Sequence, residues 1–264
     1  MKIEKVIFTI DDNPHYIGFW SSISKHYKKR YNILPKLFII GENVDISKYD
    51  VSNGEVEVIE KLPIIPSIIQ ALIGKFYFTK TEPNTTWIVG DLDLYPLQNA
   101  HFEYSILNVD ENAYVHLNPH AYGADWRNSI SGLAGYYHVA MGKTFESVLN
   151  FKKKTFKDVC EEIYNSNKYG IKFHNMQSNA ENHMASNNNW GWFCCEEMYT
   201  GDILKNSNKL IEIPPVSYNR VDRSNMVYDI QKIKEGFYID FHSPRPYEQH
   251  ANTIEKIIEN ACIR

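Results

Sequence analysis

The chain of 264 residues lacks any long apolar run and any recognisable export signal. Its most apolar segment, Leu62 to Ile73, contains two prolines and is too short to cross a bilayer as a helix. The first residues form a strand-like run, without a hydrophobic signal segment and a small-residue cleavage site after it. These absences lead us to expect a soluble, cytoplasmic protein with no transmembrane segment.

An excess of positive charge and a cysteine framework are missing too. The 28 lysine and arginine residues are outnumbered by 32 aspartate and glutamate residues, so the formal net charge is −4. A dedicated nucleic-acid-binding protein usually has a basic surface, and this balance argues against nucleic acid as a partner. The four cysteines show no zinc-ligand spacing, and two of them, Cys194 and Cys195, are adjacent. We therefore expect a reducing compartment and no disulfide framework.

Several catalytic signatures are absent. The chain contains neither G-x-S-x-G nor H-E-x-x-H, which argues against the common serine hydrolase and zinc protease patterns. The segment after the first predicted strand, Thr9 to Asn13, contains no glycine and no arginine. A sugar-phosphate nucleotidyltransferase normally has a glycine-rich, basic phosphate loop there. This absence counts against a nucleotidyltransferase but leaves it open as an alternative.

With 43% hydrophobic and 14% aromatic residues, the chain can bury a sizeable core. In the first half, apolar strands alternate with helices, one of which opens at Asn13-Pro14 with an N-cap pattern. This order predicts an α/β fold with a Rossmann-like, mostly parallel sheet flanked by helices. The second half is less regular and includes a long polar loop from Met176 to Trp192. No linker is evident, so residues 1–264 are expected to form a single domain.

The most informative motif is Asp91-Leu92-Asp93, which follows the apolar strand Trp87 to Gly90. Residues two apart in a strand point to the same side, so both carboxylates would enter one small volume if they ended that strand. Such a pair needs a proton, a cationic partner or a divalent ion. An oxygen-only site suits Mg²⁺ or Mn²⁺. The alternative is an ordinary strand end or capped turn.

The stretch from Thr85 to Asp93 resembles the D-x-D motif of GT-A fold, nucleotide-sugar-dependent glycosyltransferases. In that family the motif follows an apolar strand and holds a metal ion on the donor diphosphate. Two later segments, Trp192 to Glu197 and His242 to Tyr247, resemble the family's acidic motif and its C-terminal segment that closes over the diphosphate. The three motifs occur in the family's order. This chain has Glu-Glu where many members have an aspartate, so the identity of the base stays open.

The resemblance implies a metal-dependent glycosyltransferase, a hexosyl- or pentosyltransferase that uses Mn²⁺ or Mg²⁺. It would move a sugar from a UDP- or GDP-linked donor to a hydroxyl acceptor, which we expect to be a glycan. Residues 1–110 would bind the nucleotide sugar, and residues 111–264 would form the acceptor half with a closing C-terminal segment. The non-enzymatic alternative is a carbohydrate-binding protein on a degenerate transferase fold.

The resemblance, together with position in the chain, also suggests roles for individual residues. The expected metal ligands are Asp91, Asp93 and His242. Glu197 is favoured over Glu196 as the catalytic base. The expected nucleotide-sugar contacts are Thr9, Ile10, Asp11, Tyr16, Lys75, Asp91, Leu92 and Arg245. The expected lining of the acceptor or sugar pocket is His116, Asn118, Asp125, Trp126 and Trp192.

Most of these residues also have an ordinary interpretation. Lysine is favoured at the C-terminus of a helix by the helix dipole, which alone could explain Lys75. Tyr16 could be a packing residue of an amphipathic helix. Glu196 and Glu197 could be acidic residues at a helix N-terminus without a catalytic role. His242 and Arg245 could be ordinary residues of a surface turn.

Overall fold

The computed structural model describes residues 1–121, 133–166 and 195–261. The described strands are β1 (Lys5–Asp11), β2 (Leu34–Gly41), β3 (Glu55–Glu60), β4 (Thr86–Val89), β5 (Leu94–Pro96), β6 (Tyr114–His116), β7 (His138–Met141), β8 (Leu210–Glu212), β9 (Arg220–Asp222) and β10 (Asp240–His242). The described α-helices are α1 (Pro14–His26), α2 (Ser67–Tyr77), α3 (Asn99–Glu103), α4 (Gly142–Val148), α5 (Phe156–Tyr164), α6 (Cys195–Leu204), α7 (Ile230–Lys234) and α8 (Tyr247–Glu259). Short 3₁₀ or π turns occur at Tyr27–Tyr31, Ile46–Lys48 and Phe78–Thr81.

The central sheet has the strand order β3-β2-β1-β4-β7-β6-β8. Strands β1 to β4 run parallel to one another, and β8 runs parallel to β6. Strand β7 is antiparallel to both of its neighbours, β4 and β6. The predicted α/β fold with a mostly parallel sheet flanked by helices is confirmed.

The buried strand β1 has a packed core on each face. Successive side chains of a strand point to opposite faces. Phe8 therefore enters a core cluster with Phe19 and Trp20 of α1, whereas Ile7 enters the cluster formed with α2. The predicted start of α1 is confirmed, because the Asn13 side chain accepts a hydrogen bond from the backbone N–H of His15 at 3.0 Å. The continuous apolar run of β1 thus reflects burial on both sides.

A second, three-stranded sheet has the order β5-β10-β9. Strand β10 pairs antiparallel with β5, which begins directly after the D-x-D motif, and parallel with β9. In this register His242 lies opposite both Leu94 and Asp222. The small sheet therefore brings segments that are far apart in sequence to one edge of the central sheet.

The last helix, α8, packs against α1, and polar contacts with α1 and the turn after it hold α8 in place. The Ser22 hydroxyl donates to Glu255 Oε1 at 2.6 Å, and the Arg30 guanidinium donates to the carbonyl oxygens of Ile258, at 2.7 Å, and of Ala261. Cations near the last carbonyls of a helix satisfy groups that lack intrahelical partners. Since Arg245 precedes α8 by two residues, this packing also fixes the position of Arg245. None of the described helices is long and apolar enough to span a membrane.

Candidate active site

The D-x-D motif lies in a turn. Strand β4 ends at Val89, and the backbone N–H of Leu94 donates to the carbonyl oxygen of Asp91 at 3.0 Å. Both aspartates therefore lie beyond the end of the strand, in a turn, which the sequence had left open as the alternative. Strict two-residue alternation does not hold through a turn, and the two carboxylates contact different partners: Asp91 contacts Lys75, and Asp93 contacts two arginines.

Asp93 is a buried carboxylate surrounded by cations. Its Oδ2 atom accepts hydrogen bonds from Arg245 Nε at 2.6 Å and from Arg223 Nη1 at 2.9 Å, and His242 Nε2 lies 3.6 Å from it. Burial raises the pKa of Asp93, but Arg245, His242 and Arg223 outweigh burial and hold this pKa well below its usual value. Asp93 is therefore ionised at neutral pH.

The small sheet assembles this arrangement, which we call the cation cluster: Arg223, His242 and Arg245 around Asp93. The backbone N–H of Ser243 donates to the carbonyl oxygen of Asp93 at 2.8 Å, next to the β5–β10 pairing. The other imidazole nitrogen of His242 lies 3.4 Å from Asp222 Oδ2. Burial lowers the pKa of His242, but Asp93 and Asp222 outweigh burial and raise it, which favours the imidazolium.

Tyr16 lies beside the cation cluster. The guanidinium carbon of Arg245 is 4.7 Å from the centre of the Tyr16 ring, which is within cation–π distance. The same ring lies 6.5 Å from that of Phe19, in a tilted arrangement. The structure thus places Tyr16 both at the site and against the core, so the two interpretations from the sequence are compatible.

Lys75 connects the motif to the acidic segment. It is in the last turn of α2, only 3% exposed, and its Nζ atom lies 2.6 Å from Asp91 Oδ1 and 3.4 Å from Glu196 Oε1. Burial lowers the pKa of Lys75, but Asp91 and Glu196 outweigh burial and raise it, so the ammonium stays charged. A helix-dipole role alone does not explain this buried lysine between two carboxylates.

The tandem glutamates lie in the first turn of α6 and have different surroundings. Glu197 Oε1 accepts a hydrogen bond from the backbone N–H of Gly135 at 2.8 Å. Glu196 is 3% exposed, and its Oε2 atom has no hydrogen-bond partner among the other described residues. Burial, partly offset by Lys75, raises the pKa of Glu196 to about 7. Glu197 therefore holds the backbone near Gly135, whereas Glu196 has the properties of a base.

Gly135 is in close contact with this acidic segment. A Cβ atom at Gly135 would lie 2.7 Å from Glu196 Oε1 and 3.2 Å from Lys75 Nζ. We expect Gly135→Ala to displace both side chains and to lower the catalytic rate by roughly 10–100-fold, because small misplacements of reacting groups are costly. Steady-state kinetics with far-ultraviolet circular dichroism checks this prediction. A folded variant with the normal rate would contradict it.

Besides Asp91, four of the predicted donor contacts lie along β1 and in the motif turn. Asp11 Oδ2 accepts a hydrogen bond from the Ser67 hydroxyl at 3.0 Å. The Thr9 hydroxyl is buried and has no hydrogen-bond partner among the described residues. The side chains of Ile10 and Leu92 belong to the apolar core. The Asp11 carboxylate is therefore the partly exposed polar group of this part of the sheet, whereas the Thr9 hydroxyl is closed off from solvent.

The structure describes two of the five predicted acceptor residues, His116 and Asn118. His116 lies in β6, fully buried, and its ring stacks on that of His138 with 4.3 Å between the centroids. Asn118 is buried as well, and its Oδ1 atom has no hydrogen-bond partner among the described residues. The structure places His116 in the packed sheet and not on an open wall. Three further residues lie outside the described residues: Asp125, Trp126 and Trp192.

The predicted metal ligands do not form a donor set that suits a divalent ion. In the part of the chain that the structure describes, no three histidine, cysteine, aspartate or glutamate side chains are grouped so that they could hold a metal. Asp93 Oδ2 is shared by two guanidinium groups, and Asp91 Oδ1 is bound by an ammonium. Mn²⁺ or Mg²⁺ at these oxygens would face those cations at short range. The metal stays a prediction.

The sequence did not point to two arginines of the small sheet, of which Arg223 lies at the site. Arg223 follows β9, and Arg220 within β9 makes a bidentate pair with the buried Asp240, at 2.8 and 2.7 Å. Arg220 also donates to the Tyr136 hydroxyl at 2.9 Å. A strand of three residues has no alternation pattern to detect, and its partners are set by tertiary structure. The one feature of the sequence that could have pointed to these positions is the residue type, since arginine is favoured where anions are bound in a bidentate way.

Comparison with known proteins supports the fold. No protein-family model matches the chain, and no curated protein matches its sequence. Its structure is similar to that of the bifunctional glycosyltransferase WbbM in the apo state, with a TM-score of 0.51 over 100% of this chain and 9% sequence identity. The chain spans about half of that protein, covering 52% of its length. The two proteins thus share an α/β fold.

Proposed function

We propose that the protein is a glycosyltransferase that moves a sugar from a nucleotide-diphosphate sugar, UDP- or GDP-linked, to a hydroxyl acceptor. One observation carries this proposal. The turn after β4 contacts both parts of the site. Its Asp93 binds the cation cluster, and its Asp91 binds Lys75, which also contacts the buried Glu196 carboxylate. Ligands of open parallel sheets bind beyond the carboxyl ends of the strands, where this turn lies. The similarity of the fold to that of WbbM supports the same class of reaction.

The cation cluster would bind the leaving group. Cleavage of the bond between sugar and diphosphate leaves negative charge on the diphosphate, and groups positioned for that charge lower the barrier. Arginine binds phosphate oxygens through a planar fork of N–H donors. Arg223 and Arg245 are held in place by Asp93, so little reorganisation is needed when the charge develops.

Glu196 would take the proton of the acceptor hydroxyl. A general base works best when its pKa is close to the working pH, and burial places the pKa of Glu196 at about 7. Lys75 stabilises the ionised form of this carboxylate at 3.4 Å. Glu197 is engaged with the Gly135 backbone and serves the structure. The proposal therefore assigns the base to Glu196 and departs from the sequence-based preference for Glu197.

Binding of a nucleotide sugar is the first test. A ligand that binds only the folded state raises the melting temperature by mass action. We expect at least one UDP- or GDP-sugar to raise the melting temperature more than the corresponding nucleoside, because the diphosphate contacts the cation cluster. Thermal unfolding with a panel of nucleotide sugars measures this. If nucleoside triphosphates and sugar phosphates stabilise the protein while no nucleotide sugar does, a nucleotidyltransferase replaces the proposal.

A further inference from the structure

The cation cluster has more positive than negative charge and is open to solvent on one side. Asp93 is 4% exposed at its side chain, whereas the side chains of Arg223 and Arg245 are 33% and 34% exposed. The carboxylate therefore lies beneath the two guanidinium groups. An anion arriving from solvent would meet the arginines before it met Asp93.

Both arginines keep free donors. Arg245 uses its Nε–H on Asp93, and Arg223 uses one Nη1–H on the same oxygen. Their other guanidinium N–H groups make no hydrogen bond to the described residues, although each guanidinium has five N–H donors. The contact with Asp93 thus fixes the planes of both groups and leaves a set of N–H donors for a second anion.

We infer that this site binds the diphosphate of the donor with protein cations in place of a divalent metal ion. Arg223 and Arg245 supply the positive charge, and Asp93 is the counter-ion that holds them together. The inference rests on the proposed function, and it gives the second aspartate of the D-x-D motif a role other than metal ligation. Two guanidinium groups converge on one oxygen of this aspartate, and that geometry is the reverse of what a metal ligand requires.

The test is calorimetric titration of UDP and of GDP into the full chain, once with excess EDTA and once with saturating MnCl₂ or MgCl₂. We expect the same dissociation constant under both conditions for whichever nucleotide binds. We also expect Arg223→Gln and Arg245→Gln each to weaken that binding by roughly 10–100-fold, which corresponds to the loss of one charge-assisted contact. The matched control is Lys29→Gln, which removes an exposed positive charge away from the site and should change nothing.

Uridine and guanosine serve as probes without phosphate. The arginine variants should bind these nucleosides as the wild type does, which also shows that the variants are folded. Diphosphate binding that requires the metal would overturn the inference and leave the proposed function intact. Metal-free binding that both arginine variants retain at full strength would overturn it as well. If neither diphosphate binds under any condition, the proposed function fails together with this inference.

Discussion

Replacing Glu196 by glutamine is expected to lower the turnover of sugar transfer by roughly 10²–10⁴-fold, the usual contribution of a general base. Glutamine keeps the shape of the side chain but cannot take a proton from the acceptor. The affinity for the nucleotide sugar should stay near the wild-type value, because the proposed contacts of the diphosphate are with the cation cluster and not with Glu196. Steady-state kinetics with a saturating donor separates these two quantities.

Glu197→Gln is the matched control for this variant. A glutamine oxygen still accepts the hydrogen bond from the Gly135 backbone, so the local structure and the turnover should both persist. If Glu197→Gln loses turnover and Glu196→Gln does not, the base has been assigned to the wrong glutamate. If both variants have the same turnover as the wild type, neither glutamate of this segment is the base.

The pH profile follows from the same assignment. Glu196 must be ionised to act as a base, and its pKa is about 7. Turnover at saturating substrate should therefore rise as the pH increases through about 7 and level off above it. The apparent pKa belongs to Glu196 together with its charged neighbours, since the groups are coupled. In Glu196→Gln the rise in turnover through about pH 7 should be missing. A pH profile of this variant identical to that of the wild type would contradict the assignment of Glu196 as the base.

Asp93→Ala is expected to reduce the free energy of unfolding by about 3 kcal/mol, the lower end of the range for a buried pair that loses one partner. The lower end applies because the two arginines keep about a third of each side chain in solvent. Without the carboxylate, the two guanidinium groups lose their shared counter-ion and repel each other at short range. Urea unfolding at neutral pH measures the difference, and the exposed Asp12→Ala is the matched control.

The pH dependence of this stability difference has a definite sign. The pKa of Asp93 is depressed in the folded state, so its contribution is fully present above the unfolded-state pKa of about 3.9. The contribution is lost as the pH falls from there through the folded-state pKa. The difference between Asp93→Ala and the wild type should therefore shrink in strong acid. An unfolding free energy unchanged by Asp93→Ala at neutral pH would show that this aspartate is not the counter-ion of the cluster.

The sequence predicted the local features of the fold well. Apolar runs located β1 and β4, and the Asn13-Pro14 pair located the start of α1, because these signals depend on neighbouring residues. The sequence also identified Lys75, Tyr16 and Arg245, which the structure places in contact with the motif aspartates or with one another.

What the sequence did not reveal depends on long-range pairing. Arg223 reaches Asp93 only because β9 pairs with β10 and β10 pairs with β5, and each of these strands has three residues. The different roles of Glu196 and Glu197 depend on which carboxylate lies against Lys75 and which accepts the hydrogen bond from the Gly135 backbone. Two adjacent glutamates carry no local signal for that difference.

The most direct measurement of the central claim is the release of UDP or GDP from a panel of nucleotide sugars by the wild type and by Glu196→Gln. The account predicts that the wild type releases the nucleoside diphosphate from at least one donor, faster when an acceptor with a free hydroxyl is added. It also predicts that Glu196→Gln loses this acceptor-dependent release while it still binds the donor. The proposed function would be contradicted if the wild type released no nucleoside diphosphate from any donor. It would also be contradicted if Glu196→Gln released the nucleoside diphosphate at the full rate.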